Sequence, residues 1–300
     1  MSPVAARTRI KRMTVPLIWR TSKRSFDLTE LVLVMGILNV TPDSFSDGGR
    51  FLTVDDALRQ AESMIDQGVD IIDIGGESTR PGSSRVAVED EIGRVVPAIE
   101  AIAKRFDIAI SVDTSKSEVA RAAIDAGAEI VNDISGLRFD ERIASVAAES
   151  KAGLVLMHSL GEFERMHSQP PAADIMTDVA ADFRRSTAAA FFYGVEPART
   201  ALDIGIGFGK TLDQNLELLG KLDKLATEFA GFPMLVGISR KSFIGKILDG
   251  APPDKRLSGS LAAATIAIWN GAKIVRVHDV RETVQTLKIV SAIRDHRKKL

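Results

Sequence analysis

Gly68-Val-Asp-Ile71-Ile72-Asp73 is the stretch on which the fold turns. It follows Val54 to Gln67, whose apolar spacing predicts a helix, and its Gly suits the left-handed backbone on which helices commonly stop. The short β-branched run after it suits a strand buried on both faces, as the strands of a parallel sheet are. The run then finishes on a carboxylate. The same grammar returns at Gly127-Ala-Glu-Ile130-Val131 ahead of Asn132, and at Gly271-Ala-Lys-Ile274-Val275 ahead of Arg276. In each case a polar side chain lands late in the strand.

Working outward from these units, apolar runs predict strands at Leu31 to Asn39, Ile71 to Ile74, Ile108 to Asp113, Ile130 to Asp133, Leu154 to Met157, Thr200 to Asp203, Met234 to Ile238 and Ile274 to Val277. Helix patterns fill the intervals at Val54 to Gln67, Val88 to Lys104, Ser117 to Ala126, Ile175 to Tyr193, Leu212 to Phe229 and Leu257 to Asn270, with a last one near Arg281 to Lys298. Strands alternating with helices require parallel crossovers, and eight such units in roughly 250 residues is the size of a closed (β/α)8 TIM barrel. A doubly wound open sheet uses the same units and is the alternative architecture. No break in composition marks a second domain within residues 31–300. Ahead of it, residues 1–24 carry seven basic and no acidic residues. These are read as a basic arm leading into an N-terminal β-hairpin, with strands at Thr14 to Ile18 and Ser25 to Leu28 around Thr21-Ser22-Lys23. An organelle transit peptide is the competing reading.

Composition bounds the function. The chain has 300 residues, 45% hydrophobic and 26% charged, with a formal net charge of -1. That balance lacks the surplus of Lys and Arg that a nucleic-acid-binding face needs, so small molecules are the expected partners. With no cysteine in the chain, disulfides, zinc thiolates and thiol nucleophiles are excluded, and a reducing cytoplasm is the expected location. No window approaches eighteen uninterrupted apolar residues, so no membrane span is expected.

In a barrel the chemistry sits at the carboxyl ends of the strands. Those ends are Asn39, the loop from Gly75 to Pro81, Asp113, Asn132, Met157-His158, Asp203, Ser239-Arg240-Lys241 and Arg276-Val-His278. Asp113, Asn132 and Asp203 suit the N-H edge of a heterocycle, whereas Thr79, Arg80, Arg240, Lys241, Arg276 and His278 suit anions. A substrate with a polar ring and an anionic tail is implied. Singly, an Asp after a strand is more often a helix cap and an exposed Arg a solvated charge; convergence at one mouth is what favours a site.

Two other patterns invite chemistry and fail on spacing. Gly205-Ile-Gly-Phe-Gly-Lys210-Thr211 resembles a phosphate loop, but Ile204 stands where that loop needs its first Gly. The glycines are read instead as letting a ligand ring approach the backbone, with Phe208 closing over it. His158 and His167 with Glu162 and Glu164 lack a metal-ligand spacing and a third strong ligand.

Taken together, MGILNVTPDSFSDGG from Met35, DIGGESTRPGS from Asp73, SVDTSK from Ser111, AEIVNDISG from Ala128, IGIGFGKTLDQNLELL from Ile204, GISRKSFIG from Gly237, GSLAAA from Gly259 and RVHDV from Arg276 resemble the dihydropteroate synthase family along almost the whole chain. The resemblance implies condensation of 6-hydroxymethyl-7,8-dihydropterin diphosphate with 4-aminobenzoate. It implies a pterin site of Asp113, Asn132, Met157, Asp203, Phe208, Gly209, Lys241 and Arg276, and a diphosphate site of Asn39, Thr79, Arg80, Arg276 and His278. Phe45, Pro81, Ser239 and Lys241 would form the 4-aminobenzoate pocket. Asp113, Lys241, Asp47 and Arg276 would carry the catalysis, Asn39 would bind Mg2+, and the enzyme would be a homodimer. Two departures stand out. Ile204 replaces the family's usual Pro, and Ser159-Leu160-Gly161 continues the Met-His pair differently. The rivals are a pterin-dependent methyltransferase of the same barrel superfamily and a silent paralogue that binds pterin without turnover.

Overall fold

A computed structural model of the chain describes residues 16–41, 53–78, 83–161 and 170–299. Eight strands run parallel: β3 (Leu33–Asn39), β4 (Ile71–Gly75), β5 (Ala109–Asp113), β6 (Ile130–Asp133), β7 (Gly153–Met157), β8 (Thr200–Asp203), β9 (Met234–Gly237) and β10 (Ala272–Val277). They close in chain order, because β10 pairs with both β9 and β3. That closure excludes the open doubly wound sheet, which would leave two edges. Ahead of the barrel, β1 (Ile18–Arg20) and β2 (Ser25–Asp27) form an antiparallel hairpin with Trp19 opposite Phe26. Its first strand begins later than the apolar pattern suggests. Pro16 has no N-H to give a ladder, and the expected residues Thr14 and Val15 lie outside the described residues.

Around the barrel lie α1 (Val54–Asp66), α2 (Val88–Arg105), α3 (Ser117–Ala126), α4 (Arg142–Ser150), α5 (Ile175–Phe192), α6 (Leu212–Gly220), α7 (Leu222–Glu228), α8 (Ser242–Ile247), α9 (Leu257–Trp269) and α10 (Val280–Lys299). The helix expected over Leu212 to Phe229 is two helices. Gly220 weakens the helical backbone, and Lys221, at φ -114 and ψ 17, breaks it. Two helices escaped the sequence pattern. α4 starts without a side-chain cap, and α8 is six residues long and contains Gly245.

Side-chain alternation along each strand divides the interior in two. Outward residues such as Val34, Ile72, Ile110, Val131 and Leu154 pack beneath the helices. Inward residues at the strand starts, including Leu33, Ile71, Ala109, Ile130, Val155, Ala201, Leu235 and Ile274, form a separate apolar plug with Trp19 and Leu28 of the hairpin segment. Trp19 is fully buried and donates its indole N-H to the Arg199 carbonyl at 3.1 Å. The hairpin therefore seals the amino-terminal end of the barrel. Counting two residues onward from Ile71, Ile130, Ala201 and Ile274 reaches Asp73, Asn132, Asp203 and Arg276; counting four from Ala109 reaches Asp113. The same parity that builds the apolar floor thus points every one of these polar groups inward, one or two layers nearer the mouth.

Candidate active site

The three repeated Gly-apolar-polar units deliver residues that touch one another. Asn132 Nδ2 donates to Asp73 Oδ2 at 3.1 Å, and Arg276 Nε donates to the same oxygen at 2.5 Å. Arg276 also reaches across the barrel, with Nη2 donating to Asp113 Oδ2 at 2.5 Å. Asp73 is completely buried, while the side chains of Asp113 and Arg276 retain 15% and 18% exposure toward the mouth. Burial pushes the Asp113 carboxyl up to about 7; the Arg276 and Lys241 cations oppose that shift, and the Asp73 and Glu91 carboxylates reinforce it. For Arg276 burial acts to depress the guanidinium, but Asp73 and Asp113 hold it above its ordinary range.

A second group assembles on the glycine-rich loop after β8. Burial raises the Asp203 carboxyl against the hydrogen bond that its Oδ1 accepts from Gly205 N at 2.8 Å. Gly205 has φ +63, and a Cβ there would sit 1.8 Å from the His158 carbonyl oxygen. Only glycine fits. Lys241, from the turn after β9, donates to the Ile206 carbonyl at 2.6 Å and lies 4.0 Å from the centre of the Phe208 ring. Burial lowers its ammonium to about 8, although the Asp203 charge acts to raise it. Phe208 packs in a small apolar cluster with Met157, Ile134 and Phe139. Gly209 follows at φ +73. Beneath this loop Lys210 donates to the carbonyls of Gly205, His158 and Phe208 at 2.7, 3.2 and 3.3 Å. An ammonium engaged by three carbonyls within its own loop is a strut, which accounts for the failure of the phosphate-loop reading.

At the rim, Ser239 Oγ accepts from the His278 backbone N-H at 3.2 Å and lies 3.1 Å from His278 Nδ1. Asn39 closes β3 beside Gly75 and Asp113: a Cβ on Gly75 would lie 3.6 Å from Asn39 Oδ1 and 3.5 Å from Asp113 Cβ. Arg240 does not join the anion-binding groups. Its guanidinium forks onto Asp279, and its backbone, at φ +60, is tied to Ser260 and Arg256. His158 is likewise elsewhere, fully buried with Nε2 2.9 Å from Asp178 Oδ2. Phe45, Asp47, Thr79, Arg80 and Pro81 lie outside the described residues, as do Glu162, Glu164 and His167. Among the described residues no group of three or more His, Asp and Glu side chains could hold a metal ion.

Sequence reasoning missed two parts of this architecture. Asp73 reads as the carboxylate late in its strand but stays out of the candidate site, because β4 runs on to Gly75 and the glycine loop passes for the strand end; strand parity from Ile71 places it in the inward layer. The other is a buried clamp in which Lys116 pairs with Glu91 and, at 2.9 Å, with Glu77, whose Oε1 also accepts from Val86 N at 2.5 Å. These residues come from separate units and share no local spacing.

The pterin-binding enzyme family profile matches residues 35–278. A dihydropteroate synthase of Synechocystis is 48% identical over 89% of this chain and 92% of its own length. The Yersinia pestis dihydropteroate synthase, solved as a sulfonamide drug complex, superposes with a TM-score of 0.87 at 44% identity, covering 93% of this chain and 99% of that one. The Xanthomonas albilineans dihydropteroate synthase, solved with 4-aminobenzoic acid, gives a TM-score of 0.86 at 39% identity over 93% of this chain and 99% of that one. With the closed barrel and its inward polar layer already in place, these matches establish that the chain belongs to the family of pterin-binding enzymes.

Proposed function

We propose that the chain condenses 6-hydroxymethyl-7,8-dihydropterin diphosphate with 4-aminobenzoate, giving 7,8-dihydropteroate and diphosphate in folate biosynthesis. The observation that carries this reading is the layer of Asp113, Asn132, Asp203, Lys241 and Arg276 inside the mouth of a barrel of this family. In this assignment Asp113, Asn132 and Asp203 bind the pterin edge, Lys241 its carbonyl side, and Met157, Phe208 and Gly209 its face. Asn39, Arg276 and His278 bind the diphosphate with Thr79 and Arg80. Ser239 and Lys241 line the 4-aminobenzoate pocket with Phe45 and Pro81, and Asp47 belongs to the catalytic set. Residues 31–300 form the catalytic barrel, with the hairpin as its floor.

The chemistry follows from charge separation. The bond between the pterin methylene and the diphosphate oxygen breaks, and its electron pair leaves on the diphosphate. The methylene becomes cationic while anionic charge collects on the leaving group. Fixed carboxylates at the ring and fixed cations at the rim stabilise the two charges as they part. The amine nitrogen of 4-aminobenzoate then forms the C-N bond and releases a proton to solvent. No side-chain nucleophile is required.

Magnesium fits the donor set as a substrate-dependent ion. Asn39 offers one hard, neutral oxygen, and Mg2+ commonly takes most of its octahedron from phosphate oxygens and water. When bound it would neutralise charge on the diphosphate. A homodimer belongs to the same proposal, supported by Ile266, Trp269, Ile289 and Ile293, which expose 49%, 43%, 64% and 54% of their surface on the adjoining helices α9 and α10. A cytoplasmic location accords with the absence of cysteine, and among the described residues no helix is long and apolar enough to cross a membrane. The test is diphosphate release from purified protein given the pterin diphosphate ester and magnesium. Release that depends on 4-aminobenzoate is expected; its absence overturns the reading.

A further inference from the structure

Asp73 has no part in the assignment above, yet it touches two of the residues that do. It is fully buried in the middle of β4, and its Oδ2 accepts from both Asn132 Nδ2 and Arg276 Nε. Its other oxygen, Oδ1, has no hydrogen-bond partner among the described residues. Leaving a buried carboxylate oxygen unpaired incurs its desolvation cost without compensation, a cost that an apolar residue at this position would avoid. A purely structural account of Asp73 therefore has to explain why the barrel keeps it.

The consequences for its neighbours are geometric. A primary amide has a donor end and an acceptor end, and an anionic oxygen on one side decides which end faces it. Because one N-H of the Asn132 amide is turned to Asp73, Oδ1 and the second N-H are left for a ligand; the flipped amide would set oxygen against carboxylate. Arg276 is fixed in the same way. Nε is held by Asp73 on β4 and Nη2 by Asp113 on β5, so two nitrogens of the guanidinium are anchored to carboxylates on two different strands. Two such charge-assisted bonds orient a planar group far better than one.

We infer that Asp73 is a positioning residue for the pterin site: it holds the Asn132 amide with its oxygen toward the substrate ring, and it fixes the plane of Arg276 between the ring and the departing diphosphate. The inference rests on reading the mouth as a pterin site. It predicts a division of labour in which Asp73 acts on the pterin half of the reaction and leaves the 4-aminobenzoate half alone.

The experiment compares wild-type enzyme with Asp73→Asn, which keeps shape and removes charge, and with the smaller Asp73→Ser. The readouts are thermal melting, calorimetric binding of a bare pterin, and KM for each substrate with kcat. The expected result is pterin binding weakened at least about tenfold in both variants, which is about 1.4 kcal/mol, with a fall in kcat and a 4-aminobenzoate KM within about twofold of wild type. Combining Asp73→Asn with Asn132→Ala adds a second check. If Asp73 acts through Asn132, its loss weakens pterin binding much less in the Asn132→Ala background. Equal effects in both backgrounds, or a lowered melting temperature with unchanged pterin binding, overturn the inference. Should Asp73→Asn not fold, Asp73→Ser answers the same question. Failure of the wild-type protein to bind pterin would instead reject the site assignment.

Discussion

The Lys241 ammonium lies 4.0 Å from the centre of the Phe208 ring while donating to the carbonyl of Ile206, two residues earlier on the same glycine-rich loop. One cation thus grips the loop by backbone and by aromatic face at once, near the Asp203 charge that acts on it. Arg240, its neighbour in sequence, is turned away onto Asp279. The two adjacent cations should therefore respond differently to removal. Lys241→Ala is expected to lower kcat/KM by about 10²-fold or more, as loss of a positioned electrostatic group does. Arg240→Ala, whose side chain is 38% exposed, is expected to cost at most ~1 kcal/mol of stability and little activity. Steady-state kinetics and denaturation check both, and comparable losses of activity would reject the division.

The pH response has a sign fixed by two buried groups. Burial sets Asp113 at about 7 and Lys241 at about 8. An ionised Asp113 together with a protonated Lys241 exists mainly between those values, so pterin binding should rise through pH 7 and decline through pH 8. For stability, Asp113 binds more protons folded than unfolded between its ordinary 3.8 and 7, so its contribution falls as pH rises there. Lys241 binds fewer protons folded between 8 and its ordinary 10.5, so its contribution increases with pH in that window. A pH profile of pterin affinity for Lys241→Arg should lose the alkaline limb; retention of that limb would exclude Lys241 as its source.

The clamp at Lys116 gives a prediction about folding. Its side chain is 10% exposed, and those of Glu77 and Glu91 are 7% and 1%. Burial raises the Glu91 carboxyl, and contact with Lys116 opposes that rise. Lys116→Met leaves two carboxylates buried without their cation and should destabilise by about 3–5 kcal/mol. Lys116→Met combined with Glu91→Leu should recover part of that loss. Urea denaturation measures both, and an additive further loss in the double variant would contradict the pairing.

Magnesium should act on one substrate selectively. If Asn39 holds Mg2+ beside the diphosphate, as proposed, chelation is expected to weaken binding of the pterin diphosphate ester much more than binding of the bare pterin. Calorimetry with each ligand, with and without magnesium, distinguishes the outcomes. Equal effects on both ligands would remove the metal role assigned to Asn39.

Much of this architecture was readable before any coordinates, for a physical reason. A Gly that stops a helix and a strand buried on both faces leave local signatures, so Gly68, Gly127 and Gly271 announced their units and Asn132 and Arg276 their strand ends. The strand end at Asp113 was equally legible. Interactions between units leave no such trace. Nothing near Arg240 in the chain tells that Asp279 claims its guanidinium, or that a positive φ turns it from the mouth while Lys241 faces inward. Glu77, Glu91 and Lys116 meet only because three separate segments pack together. Helix α8 stayed hidden because it is only six residues long and contains Gly245; the nine-residue α4 was not read from its apolar pattern.

The hairpin plug has a kinetic consequence. With Trp19 and Leu28 filling one end, the barrel is a cup rather than a tube, and both substrates and both products must use the same rim. Asn132 and Asp203, assigned above to the pterin ring, sit lower than Ser239 and His278, so on that assignment the pterin diphosphate has to arrive before 4-aminobenzoate settles above it. Initial rates with both substrates varied should show ordered addition with the pterin ester first, and random addition would contradict it. A stopper made near the start of the chain thereby dictates the order of events at the opposite end.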